Sequence, residues 1–117
     1  MSDAAAVVMA ALEALRARDW DGFARRLHPD VVHRTPGVPE PILGRDAFVL
    51  LSRQAVATTP DVTFDVERIV TQGDTVVVVG EWTYTGPQGK DRQPSVSVVD
   101  LQDGLIVRDL EYLGLAT

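Results

Sequence analysis

Thr75-Val76-Val77-Val78-Val79-Gly80-Glu81-Trp82-Thr83-Tyr84-Thr85 is the stretch that decides the fold. Its Val76 to Val79 run puts apolar side chains on both faces of an extended chain, as in a strand covered from two sides. Gln72-Gly73-Asp74 turns the chain into it, and Gly86, Pro87 and Gly89 end it. Upstream, Val62, Phe64 and Val66 alternate with Thr63, Asp65 and Glu67, which reads as a half-buried strand. Downstream, a strand from about Gln93 to Leu101 passes through the turn Gln102-Asp103-Gly104 into a last strand from Leu105 to about Leu113. Four consecutive strands joined by short turns form an antiparallel meander.

Before Pro60 the period is that of a helix. Ala4, Val7, Val8, Ala11, Leu12 and Leu15 recur at three- and four-residue steps, one stripe of an amphipathic helix starting near Ser2 or Asp3 and ending at Arg16 to Arg18. Trp20, Phe23, Ala24 and Leu27 predict a second, shorter helix, capped by Asp19 and stopped at His28 by Pro29. Asp30 to Thr35 reads as a short strand for a sheet edge, and the proline- and glycine-rich stretch from Pro36 to Gly44 as a loop. A third helix runs from Arg45 to about Ala57 with Phe48, Leu51 and Ala55 on one side. Helices first and strands after make an α+β domain, one unit over residues 1–117.

Composition narrows the function. Eleven Lys and Arg against seventeen Asp and Glu give a net charge of -6; such a surface repels a phosphate backbone, so nucleic acid is not an expected partner. The longest apolar stretches, Ala4 to Leu12 and Val76 to Val79, fall far short of the roughly 20 residues that cross a bilayer, and no membrane partner is expected. The chain has no cysteine, which excludes disulfides, thiolate metal sites and cysteine nucleophiles and fits a reducing cytoplasm. Two histidines without metal-ligand spacing leave no expected metal site, and the absence of a glycine-rich phosphate cradle leaves no expected cofactor.

Asp19-Trp20-Asp21-Gly22-Phe23, Leu27-His28-Pro29-Asp30-Val31-Val32 and Gly44-Arg45-Asp46-Ala47-Phe48 resemble the opening half of the nuclear transport factor 2-like superfamily. Gln72-Gly73-Asp74-Thr75-Val76, and Asp103-Gly104-Leu105-Ile106-Val107 leading to Tyr112, resemble the second half of its SnoaL-like and ketosteroid-isomerase-like branch. The resemblance implies a cone: a strongly curved sheet wrapped against three helices, with a pocket between them. It also implies a homodimer on the outer sheet face, where Val77 and Val79 stand. At the steroid-isomerase positions this chain carries Thr35, Ala11 and Ser97, so that catalytic set is missing. At the epoxide-hydrolase positions it carries Trp82, Tyr84 and Glu111, of which only the last is retained in kind.

Side chains two apart on a strand share a face. The resemblance turns Val78, Trp82 and Tyr84 of the long strand into the pocket, with Ser95 and Ser97 of the next strand and His33 and Thr35 of the first. On the last strand it turns Val107, Asp109, Glu111 and Leu113 inward. Periodicity alone allows the opposite register, with Ile106, Leu110 and Tyr112 inside and both carboxylates in water. In the first register one imidazole, two carboxylates, a phenol and an indole share an apolar hollow. His33, Asp109, Glu111 and Tyr84 are then the acid–base candidates, and Trp82, Thr35, Ser97, Val78 and Leu113 the ligand contacts. That equipment fits cofactor-independent proton transfer on a small apolar, polyketide-like or steroid-like molecule, as in an isomerase, cyclase or dehydratase. A non-catalytic binding or dimerisation module needs only the hollow, and a hydrolase would use Glu111 to position water.

Overall fold

The computed structural model describes residues 2–116. Helix α1 spans Asp3–Arg16, α2 Trp20–Arg25 and α3 Arg45–Thr58; strands are β1 Leu27–Arg34, β2 Ile42–Leu43, β3 Thr63–Gln72, β4 Thr75–Gly86, β5 Gly89–Gln102 and β6 Leu105–Leu113. Among the described residues no helix is long and apolar enough to cross a membrane.

Local chemistry sets the helix ends. The Ser2 hydroxyl accepts from the Ala5 N–H at 3.2 Å, and the Asp19 carboxylate accepts from the Gly22 N–H at 2.9 Å. Each satisfies a backbone donor that the first turn leaves unpaired. The predicted stripe of α1 faces the core: Ala4, Val8 and Ala11 are buried, while Val7, Leu12 and Leu15 pack against them from the margin.

The six strands form one curved, unclosed mixed sheet in the order β2-β1-β6-β5-β4-β3. The meander from β3 to β6 is antiparallel throughout, as its short turns require. Two expectations are corrected at the other side. The first strand begins at Leu27, so Leu27 and His28 belong to β1 and not to the end of α2. Proline has no N–H to donate, but at Pro29 it sits in the irregular stretch between Leu27 and Val32 where the pairing with β6 shifts register, and there it is tolerated. Nor is β1 the edge. It lies beside β6, parallel to it, and Ile42–Leu43 from the supposed loop pairs with it antiparallel on its outer side. Strand β5 also starts four residues early, at Gly89, which lengthens the β4–β5 hairpin.

Two bulges shape the sheet. In β3 the register shifts between Val66 and Arg68, and in β6 Val107 lacks a partner between Ile106, opposite Leu101, and Arg108, opposite Asp100. An unpaired residue bends its strand and reverses the alternation beyond it. Gly80 of β4 faces the first bulge's strand: a Cβ built there would stand 2.3 Å from the Asp65 carbonyl oxygen and 2.7 Å from the Phe64 ring. Phe64 therefore packs flat against backbone and meets Trp82 with ring centroids 4.8 Å apart. Gly80→Ala forces that backbone apart and is expected to cost about 2 kcal/mol of unfolding free energy, read as a lower midpoint in urea denaturation with an unchanged slope.

Candidate functional site

Helices α1 and α3 and the concave sheet face enclose an open cavity of about 380 Å³, within the range of small-molecule sites. Its walls are mostly aliphatic and aromatic, from Val8, Leu12 and Leu15 of α1, Phe48 and Leu51 of α3, and Val78 and Val99 of the sheet. The sequence-predicted residues His33, Ser97, Asp109, Glu111, Tyr84, Trp82, Val78 and Leu113 all line it. Thr35 does not. It stands behind His33, its hydroxyl 3.5 Å from Nε2, at the outer limit of a hydrogen bond.

The bulge at Val107 is what turns the acids inward. Ile106 fills the core opposite Leu101, and after the unpaired Val107 the alternation reverses, so Asp109, Glu111 and Leu113 face the cavity. Each of the two registers allowed by periodicity is therefore right for one part of the strand. Val107, expected inside, yields its place to Ile106, while Tyr112, 49% exposed, points away from the core.

His33 lies directly across the parallel β1–β6 pair from Asp109. Its Nδ1 donates to Asp109 Oδ2 at 3.1 Å, and both side chains are largely shielded, 12% and 18% exposed. The imidazole stacks on Phe48, centroids 4.7 Å apart and planes 25° from parallel, and Phe23 meets Phe48 edge-on. Burial pulls the His33 pKa down most strongly of any single influence. The Asp109 hydrogen bond, the Asp109 charge and the Glu111 charge together outweigh it and hold His33 above the ordinary imidazole value. Asp109 Oδ1 is occluded and has no hydrogen-bond partner among the described residues. An atom so placed costs about 1–3 kcal/mol, so the carboxylate depends on His33 for its compensation.

Glu111 is fixed differently. Its Oε2 accepts from the Trp82 indole N–H and from the Ser95 hydroxyl, each at 2.8 Å. Since both donate to Oε2, any proton that Glu111 carries sits on Oε1. Ser95, 2% exposed, is the buried polar residue of the core. The sequence places Ser95 on the inner face, where cross-strand hydroxyl pairing is the ordinary reading; its bond to Glu111 depends on the β5–β6 register, which sets Ser97 opposite Glu111 and Ser95 one step along. Phe48 was legible as part of an apolar helix face, but nothing in the sequence marks it as the plate under His33.

The strands and helices define an α+β cone around an open, largely apolar hollow. The SnoaL-like domain family model matches residues 8–109, and the chain belongs to that family. Among solved structures, a candidate ketosteroid isomerase from Kribbella flavida superposes with a TM-score of 0.85 at 25% identity, over 98% of this chain and 80% of that one. An LEH-like epoxide hydrolase from M. tuberculosis gives 0.81 at 24% identity, over 96% and 83%. A candidate polyketide cyclase from Streptomyces antibioticus gives 0.84 at 21%, over 94% and 91%. No curated protein matches the chain.

The His33–Asp109 pair makes stability depend on pH. A histidine whose pKa is raised on folding stabilises fully below its unfolded value, about 6.5, and that contribution is lost as pH rises through the higher folded value. Urea unfolding between pH 5 and 9 should show this loss in the wild type and its absence or reversal in Asp109→Asn, where burial of His33 is opposed only by the Glu111 charge. Parallel profiles for the two proteins would mean that the pair is not formed in solution.

Proposed function

We propose that the protein is an enzyme of cofactor-independent proton transfer, of isomerase, cyclase or dehydratase type, acting on a small apolar molecule of polyketide-like or steroid-like character. The observation that carries this reading is the convergence of His33, Asp109 and Glu111 on one apolar cavity. Glu111 presents Oε1 to the substrate, because the Trp82 and Ser95 donors hold Oε2. It takes the proton from an acidic C–H beside a carbonyl. His33, kept as imidazolium by Asp109, stabilises the oxyanion that forms and delivers a proton to complete the reaction. The aliphatic walls exclude water and strengthen both interactions. Tyr84 and Trp82 flank the substrate.

The test needs no knowledge of the natural substrate. A panel of cyclic ketones and β-diketones is incubated in D2O and exchange at the α-carbon followed by proton NMR. The wild type should accelerate exchange of at least one compound, and His33→Gln and Glu111→Gln should each lower that rate roughly 10²-fold. Near-normal rates in both variants would remove the assignment.

The outer sheet face supports a second element of the proposal, a homodimer. Strand pairing lines up Val70, Val77, Val98 and Leu110 in one row across four strands, and Val79, Val96 and Tyr112 in the next. Val70 and Tyr112 are 45% and 49% exposed, a continuous apolar strip of the kind that subunits cover. Light scattering should give twice the 12.7 kDa chain mass, and Val96→Asp should give a folded monomer. A wild type that is monomeric at 100 micromolar would end this part.

A further inference from the structure

The cavity has a second polar end, at Arg18. This residue follows α1 with φ +61°, a left-handed conformation that side chains other than glycine's rarely adopt. The helix closes there by a double backbone bond, Arg18 N–H to Leu15 O and Asp19 N–H to Ala14 O, at 3.2 and 2.8 Å. Glycine suits that position best. An arginine stands there, and three of its guanidinium N–H groups hold it in one geometry. Nη1 donates to the Leu15 carbonyl at 3.0 Å; Nη2 donates to the Pro60 and Val62 carbonyls at 3.2 and 2.7 Å. The fork is thereby pinned between the end of α1 and the chain entering β3, and Leu15, Arg18, Thr59 and Val62 all line the cavity.

Carbonyl oxygens orient a guanidinium without cancelling its charge. Among the described residues no carboxylate comes within ion-pair distance of Arg18, and its neighbours in sequence are engaged elsewhere. Glu13 faces Arg16, Asp19 caps α2, and Asp61 is held by the Thr85 hydroxyl and Lys90. Of the five N–H donors of the guanidinium, three are used; Nε–H and one on Nη1 remain. In a chain of net charge -6, a fixed cation without a counter-ion therefore lines an apolar hollow. It sits toward β3, at the far end of the sheet from His33 and Asp109 on β1 and β6.

We propose that the cavity takes an apolar molecule carrying an anionic group, such as a carboxylate, which pairs with Arg18 while its body reaches toward His33 and Glu111. Only the second half of that statement rests on the proton-transfer reading; the anion anchor stands on the charge and geometry of Arg18. The test compares two fluorescent probes with the same aromatic frame, 8-anilino-1-naphthalenesulfonate and the uncharged N-phenyl-1-naphthylamine. The anionic probe should bind the wild type about tenfold more tightly than the neutral one, the size of one charge-assisted contact, and each should displace the other. Arg18→Gly, which suits the left-handed backbone, should abolish the preference while leaving the neutral probe's affinity unchanged, so a folding defect is recognised by loss of both. Arg18→Lys should keep part of the preference, and rising salt should diminish it. Equal affinity of the two probes in the wild type, or a preference that survives in Arg18→Gly, would overturn the anchor. Loss of isotope exchange with the probe preference intact would instead overturn the proton-transfer reading alone.

Discussion

Val107 has no partner on β5, and the inward orientation of both cavity carboxylates, Asp109 and Glu111, follows from that one unpaired residue. A strand that buries Ile106 by strict alternation would also bury Arg108 and turn Asp109 and Glu111 into water. With the bulge, Ile106 completes the core beside Leu101, Arg108 stays outside where it meets Asp100, and both acids face the hollow. The aliphatic core and the polar site are thus two ends of the same strand. Gly80, across the sheet, leaves room for the Phe64 ring and the Asp65 carbonyl to approach the β4 backbone closely.

Charges in so apolar a place persist only with partners. His33 and Asp109 supply each other's, across a parallel strand pair that sets them side by side without any turn between them. Glu111 draws on Trp82 and on Ser95, residues of two other strands. Four strands consequently meet at the three ionisable groups, which makes their arrangement a property of the curved sheet and not of any loop. Helix α3 contributes Phe48 beneath the imidazole, and the short β2 strand leading through Gly44 fixes where that helix starts.

The fold alone does not choose a chemistry. Neighbours named for isomerisation, cyclisation and epoxide hydrolysis share this cone, and at the positions that the family resemblance marks as catalytic this chain has Thr35, Ala11 and Ser97, or Trp82 and Tyr84 with Glu111. The tryptophan that replaces an expected arginine does not reproduce its charge; it becomes a hydrogen-bond donor to Glu111. The fold supplies the apolar cavity, and the strands decide which polar groups turn into it.

Hydropathy period and turn residues determined the three helices, the four-stranded meander and the α+β class, because these depend on neighbours within a few positions along the chain. It was the family resemblance, and not the period, that pointed to His33, Asp109, Glu111 and the aromatics of the long strand as site candidates. Period and turn residues could not place β1 between β2 and β6, because two residues, Ile42 and Leu43, are too short a signal and a parallel pairing leaves no local mark. Nor could they choose a face for the last strand, since both faces carry apolar residues and a bulge changes register without changing composition. The Ser95 and Phe48 contacts and the bond from the pinned Arg18 fork to Val62 join residues 15 to 44 positions apart, and only the closed tertiary packing brings such distant groups within bonding distance.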